Sequence, residues 1–372
     1  MVIEYIEIGC LLLNVTGLIL IFLLLHRIRK TYGIYRLWIY TLFSTILLSI
    51  GLFFIFNISA KLIPSIPLSQ FSYSVAIWIF NLVLALFVLY FHLQTSPRIP
   101  IGTIIALIAL LFLKGYFLAI EPTHIMRGYW TNIRFTHSSL PSLTISMTLI
   151  FILIAEYSQF FRALIKTPTK LNKLFFLTLS YLSVLISLPT ILIMCALLIQ
   201  DFTAPLIEEI ILSFIVILLY IYGSKDLSML FMGPHEIRSF LMHTYGGLQI
   251  VSKNLIQEPL IIKRPARELS IEHSFIAVLI EIGELLEERR TLTEIFRSQR
   301  LGELRIIMYF GRLVIGSFVS QSDCFFIRDL LKNMVKDYEA ALGDRDLYVI
   351  HDEHIILGEK IYEKYLPALL SL

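Results

Sequence analysis

The chain has 372 residues, of which 57% are hydrophobic and only 16% charged, with a mean hydropathy of +0.79. A soluble chain of this length cannot hide that much apolar surface in its own core, so the composition assigns a bilayer as solvent. Residues 1–224 carry a net +6 and residues 225–372 a net −3, and an acidic tail argues against nucleic-acid binding, which rests on cations facing phosphate.

A spanning helix requires roughly 20 apolar residues, because the hydrocarbon core is about 30 Å thick and each residue rises about 1.5 Å. Seven runs meet that requirement, at about 7–26, 38–58, 72–93, 99–120, 143–164, 172–200 and 205–223. Glu4 and Glu7 stand where a cleaved leader would carry basic residues, so the first run is expected to stay as a helix. The connections after the first, third and fifth runs hold Arg27, Arg29, Lys30, Arg36, Arg98, Arg162, Lys166, Lys170 and Lys173. The alternate connections hold only Lys61, Arg127 and Arg134. This bias predicts a multi-pass protein of the cell membrane with its N-terminus outside and its C-terminal domain cytoplasmic.

Ionisable residues inside the hydrocarbon are costly and carry a functional hypothesis by default. Lys114 lies towards the outer end of the fourth run, Glu208 and Glu209 at the outer start of the seventh, and Glu156 in the inner part of the fifth. One expectation is an outward pocket in which Lys114 faces Glu208 or Glu209 around a polar ligand. The alternative is that Lys114 snorkels to the interface and the glutamates sit in headgroup water. The connection from Glu121 to Leu143 contains His124, Tyr129, Trp130, Arg134 and His137. Trp and Tyr there suit interfacial anchoring, and the segment would form a lid, with His124 and Trp130 in it, over an outward pocket. Pro189 deletes a donor inside the sixth run and marks a candidate hinge. Cys10, Cys195 and Cys324 show neither CxxC spacing nor a histidine at ligand spacing, so they read as small buried hydrophobes, with no metal or cofactor expected.

Gly233-Pro234 is a breaker pair that divides a transmembrane domain, 1–232, from a soluble domain, 233–372. Ser239–Thr244 and Leu248–Asn254 read as strands joined by Tyr245-Gly246-Gly247, a tight turn whose two glycines are free to take positive φ. After a linker, Ser270–Arg289 places Phe275, Val278, Leu279, Ile282, Leu285 and Leu286 at helical spacing. Thr291–Arg297, Glu303–Phe310 and Leu313–Ser320 follow as an antiparallel meander, because the breaks between them are short. An amphipathic helix over about Asp323–Ala341 stops at Gly343, and an extra C-terminal helix is expected from about Glu353 to Tyr365, before Pro367.

The order of two strands, helix, three strands, helix over residues 237–342, with the Gly246-Gly247 hairpin, resembles the longin and roadblock-type domains, a profilin-like sandwich with a five-stranded antiparallel sheet. The fold class expected is therefore an all-α seven-helix membrane bundle plus a small α+β domain. The resemblance implies an adaptor role: a protein partner, small GTPases being the class such domains often engage, and pairing into a homodimer through a sheet edge or helix. The seven-helix part is similar to the sensing regions that precede cytoplasmic signalling domains in bacteria and archaea, including histidine kinases.

Enzymatic readings fit poorly, so a non-enzyme is expected. The Ile271-Glu272-His273-Ser274-Phe275 segment lacks the proline of a phospho-acceptor box, and nothing downstream is Gly-rich enough to hold ATP. Glu208 to Tyr222 holds no lysine for a retinal Schiff base, and the third run ends Tyr90-Phe91-His92-Leu93 without the acidic–arginine pair of animal G-protein-coupled receptors. The expected function is a receptor-like signalling or adaptor protein. A membrane scaffold that senses nothing and a transporter with a regulatory tail are the alternatives.

Overall fold

The computed structural model describes residues 2–33, 35, 37–120, 123–127, 132–136, 140–165, 213, 216–221, 223–224, 227, 231, 237–245, 247–255, 295–301, 304–343 and 351–371. The chain divides into two units, Met1–Pro234 and His235–Leu372.

The first unit is helical. Its long helices are α1 (Val2–Tyr32), α2 (Trp38–Leu62), α3 (Ile66–Thr95), α4 (Ile101–Ile120) and α5 (Leu140–Ile165). All five contain a stretch long and apolar enough to cross a membrane. The sixth predicted run and its Pro189 lie outside the described residues. The seventh is described at Ser213, 216–221 and 223–224, which are helical. Helices α1 and α3 overrun their apolar cores at both ends, because hydropathy sees only the hydrocarbon segment while the hydrogen-bond ladder continues through polar end turns. Pro67 in the first turn of α3 suits a helix start, where its missing N–H would have no partner anyway.

Helix α3 touches α2, α4 and α5, while α1 lies against α2. Trp78 Nε1 on α3 donates to the Leu111 carbonyl of α4 at 3.0 Å. Ser213 Oγ donates to Asn14 Oδ1 at 3.3 Å, which ties the seventh run to α1. Beyond that run, Phe231 is buried in an aromatic cage: its ring meets Tyr32 at 5.2 Å, Tyr40 at 4.6 Å and Phe43 at 5.3 Å, in each case edge-on. The segment between α4 and α5, expected as a loop, contains a two-stranded antiparallel hairpin of β1 (Thr123–Arg127) and β2 (Asn132–Thr136). The alternation in Asn-Ile-Arg-Phe-Thr is the strand signal. Strand β1 approaches α3 and β2 approaches α2.

The second unit holds a five-stranded antiparallel sheet of β3 (Ile237–Thr244), β4 (Gln249–Asn254), β5 (Ile295–Leu301), β6 (Leu304–Phe310) and β7 (Val314–Ser320), in the order β4-β3-β7-β6-β5. The last strand thus sits in the middle, joining the hairpin β3-β4 to the meander. Gly247 takes a φ of 79° in the hairpin turn, a value glycine adopts without strain, whereas Gly246 lies outside the described residues. The predicted helix Ser270–Arg289 also lies outside them. Strand β5 is displaced from the predicted 291–297: Arg300 and Leu301, read as a break, pair with Arg305 and Leu304. Polar residues suit that edge strand because Arg297 to Arg300 face solvent.

Helix α6 (Phe325–Leu342) lays Phe326, Leu330, Leu331, Met334, Val335 and Tyr338 inwards and contacts β6 and β7. Helix α7 (Asp352–Ser371) packs on α6 and β4, tied by Lys364 Nζ to Asp337 at 2.5 Å, Tyr365 OH to Asp337 at 2.8 Å and Lys253 Nζ to Glu359 at 2.7 Å. It runs through Pro367 instead of stopping before it. Near a helix end the proline forfeits one backbone bond, and the buried Tyr365, Ala368 and Leu369 offset that loss.

Candidate functional site

The described residues gather polar side chains inside the helical unit in two places. The first joins α3, α4 and α5. Lys114, 3% exposed, donates from Nζ to the Ser142 carbonyl at 2.9 Å and to Ser142 Oγ at 2.6 Å. One turn further along α5, Ser146 Oγ donates to Asn81 Oδ1 at 2.9 Å, and Asn81 Nδ2 donates to its own helix at the Ile77 carbonyl, 2.9 Å away. Lys114, Ser142, Ser146 and Asn81 are all buried. They make a polar seam through three spanning segments.

The seam bears on the two expectations for Lys114. The residue lies six positions before the end of α4, roughly 9 Å along the axis at 1.5 Å per residue. Its ammonium is held by the first turn of α5 within protein, so simple snorkelling into headgroup water does not describe it. The first turn of a helix is also the positive pole of its dipole, which disfavours a cation. Hydroxyl and amide groups alone would join these helices at lower cost. Glu208, Glu209 and Trp130 lie outside the described residues. His124 falls on β1, in the hairpin that approaches α2 and α3.

The second place joins α3 and α5 nearer their other ends. His92 Nδ1 lies 3.1 Å from Glu156 Oε1, both side chains largely buried. The other carboxylate oxygen, Glu156 Oε2, is buried with no hydrogen-bond partner among the described residues. On the same two helices the Phe91 and Phe160 rings meet 5.1 Å apart. The sequence singles out Glu156 but not its partner. His92 and Glu156 sit at matching depths of two runs that cross in the same direction, and that was the available signal.

In the second unit several interior groups depart from ordinary titration behaviour, and at the surface the Glu359 carboxylate, through its hydrogen bond, holds the Lys253 ammonium above its usual value. Burial holds the His243 imidazole below its usual value of 6.5, against a smaller opposing effect of its hydrogen bond to the Gly247 backbone. Burial pushes the Cys324 thiol up to about 12, so it is a neutral thiol and a poor nucleophile at pH 7. Tyr245 is raised to about 12, first by burial and then by Glu339, and its hydroxyl donates to the Gly311 carbonyl. Glu339 in turn accepts from the Leu313 and Val314 amides at 2.7 and 3.3 Å, fixing the β6–β7 turn on α6. These groups hold the sheet to its helix. Among the described residues, no group of three or more His, Cys, Asp or Glu side chains could hold a metal ion.

Comparison with known proteins finds no matching family model, no matching curated protein and no matching solved structure.

Proposed function

We propose that this chain is a receptor-like membrane adaptor: a seven-helix bundle in the cell membrane that responds to a polar ligand or to the state of the bilayer, coupled to a longin/roadblock-like cytoplasmic domain that recruits a protein partner, with a small GTPase as the partner class. The observation that carries this reading is Lys114, a cation buried within a spanning segment and bonded to a neighbouring helix. A bundle built only for anchoring has no use for such a group, whereas an element with two packings can exchange its Ser142 bonds for bonds to a ligand.

The sheet order β4-β3-β7-β6-β5 supports the profilin-like part, because it makes one sheet from a hairpin and a three-stranded meander with α6 on their shared surface. Phe231 supports coupling: the chain that leads to the second unit is clamped by the Tyr32, Tyr40 and Phe43 rings, so movement of α1 against α2 reaches it directly.

Two measurements test the proposal. Tail-fused reporters on the full chain should change proximity when the ligand is supplied, and Lys114→Met should abolish the change while leaving membrane insertion intact. The tail, residues 233–372, should retain one member of a representative small-GTPase panel in pull-down; failure across the panel removes that partner class. A carrier is the second reading, favoured by the His92–Glu156 pair inside the bundle. Solute flux in liposomes containing the purified chain would select it.

A further inference from the structure

We propose that the groove between the last turns of α1 and the first turns of α2 is a binding site for one anionic phospholipid whose headgroup donates hydrogen bonds, phosphoglycerol or phosphoserine. The groove encloses about 400 Å³. One wall is a single face of α1, with Leu25, Ile28 and Arg29; the other is a single face of α2, with Thr41, Ser44 and Thr45. The Tyr32 and Tyr40 rings, stacked 4.4 Å apart, close one end of it.

Depth places the groove at the level of lipid headgroups. Helix α1 has 31 residues, about 46 Å of rise, against about 30 Å of hydrocarbon, so its last turns stand in the headgroup layer. Arg29 lies only three residues past the predicted end of the apolar run, while Leu25 and Leu48 lie a turn or more deeper and are suited to acyl chains. The groove faces outwards: Arg29, Thr41, Thr45 and Leu48 are exposed on the bundle surface, which in a spanning chain is the lipid-facing surface.

Charge selects the lipid. His26, Arg27, Arg29 and Lys30 crowd two turns, and the sequence has no acidic residue from Ile8 to Ile120 to balance them. Arg27 is engaged with the Ser224 carbonyl at 3.3 Å, whereas the Arg29 guanidinium makes no hydrogen bond or ion pair among the described residues. A guanidinium beside a lipid headgroup layer is a bidentate phosphate ligand. Hydroxyls refine the choice. Thr41 Oγ1 donates to the Leu37 carbonyl at 3.3 Å and Thr45 Oγ1 to the Thr41 carbonyl at 2.9 Å, so their protons are committed and their oxygens remain as acceptors. A headgroup with hydroxyl or ammonium donors satisfies them at any pH near neutrality, whereas phosphatidic acid has no donor once its phosphate is a dianion.

The test uses the full chain, reconstituted in vesicles of four parts phosphatidylcholine to one part phosphatidylglycerol, and in a second set with half of the phosphatidylglycerol replaced by phosphatidic acid, then extracted in detergent and analysed for bound lipid by native mass spectrometry. Phosphatidylglycerol should be retained in preference to phosphatidylcholine, and retention should fall as salt is raised. Arg29→Gln should lower it about tenfold, Arg29→Lys less, and Arg162→Gln on α5 not at all. Thr41→Val with Thr45→Val should erase the preference for phosphatidylglycerol over phosphatidic acid while leaving the preference over phosphatidylcholine. Equal retention of phosphatidylglycerol and phosphatidylcholine by the unmodified chain overturns the proposal, as does Arg29→Gln retention equal to that of the unmodified chain. The salt and headgroup comparisons need no substitution and remain decisive if Arg29→Gln does not fold.

Discussion

Replacing Ser142 with alanine deletes the acceptor that lies 2.6 Å from Lys114 Nζ and leaves the ammonium its bond to the Ser142 carbonyl at 2.9 Å. A hydrogen bond to a charged group contributes about 1.5–3 kcal/mol in water-soluble proteins. Inside membranes the unfolded state also finds partners, and measured couplings between helices average about 0.6 kcal/mol with a maximum near 1.7. A short bond to a buried cation belongs at the top of that range, so the coupling between the two side chains should be about 1–2 kcal/mol. The assay is a double-mutant cycle of Lys114→Met, Ser142→Ala and both together, with reversible unfolding in mixed micelles followed by tryptophan fluorescence. Trp78, bonded to Leu111 on the same helix as Lys114, reports on that region. Single-mutant effects that add to within about 0.3–0.5 kcal/mol would refute the coupling, and with it the claim that the seam is a unit.

In the second unit, Gly316→Ala should cost about 1–3 kcal/mol, because a Cβ there would lie 2.5 Å from Val335 and 3.0 Å from Leu331, both buried on α6. Alkylation of Cys324 in a chain carrying Cys10→Ser and Cys195→Ser should be slow, since the thiol is buried and pushed up to about 12, and Gly316→Ala should speed it about 5–150-fold by favouring opening; equal rates would count against the packing described. Titration of His243 leaves stability unchanged well above about pH 6.5, where the ring is neutral folded and unfolded; as pH falls through that value the unfolded chain takes up a proton that the buried ring resists, so stability falls by at most about 1.4 kcal/mol per unit. His243→Gln should flatten that slope in urea titrations between pH 7 and 5. Glu156→Gln and His92→Gln should be coupled by more than about 0.5 kcal/mol if the 3.1 Å contact is an interaction, and additive if it is mere proximity.

The elements easiest to read in the sequence are those with one dominant physical signal. Apolar length located α1 to α5, and the inward stripe Phe326, Leu330, Leu331, Met334, Val335 and Tyr338 located α6. Where two signals compete, the sequence misled. The Arg-Ser-Gln-Arg segment is polar because it is an edge strand, yet polarity and the nearby Gly302 together read as a break. Pro367 stops a helix in isolation, but burial of the final turn carries α7 past it. Of the site, Lys114 was visible as a charge out of place. Its partner was not, since Ser142 is one hydroxyl among many and only the fold brings α5 to α4. Nor could periodicity reveal that Phe231, beyond the last run, belongs to the packing of α1 and α2.

Whether the bundle listens or only anchors turns on which polar groups association of helices can account for. Asn14 with Ser213, and Asn81 with Ser146, are neutral pairs whose groups satisfy each other, and such pairs are ordinary glue between spanning helices. Lysine differs in kind. Removing an ammonium from water costs several kcal/mol even after relaxation, and hydroxyl contacts of the sort Ser142 provides return about that much at best. Asn81 and Ser146 already join α3 to α5, and the α4 member of the seam, Lys114, places a cation at the positive end of the α5 dipole, where a neutral donor would serve at lower cost. A charge that packing does not require, whose bonds do no more than offset its desolvation, is one that a competing ligand with comparable acceptors can take over with little loss. Anchoring alone predicts that Lys114→Met inserts and folds with every tail-dependent activity unchanged; a sensing bundle loses its response at that one substitution.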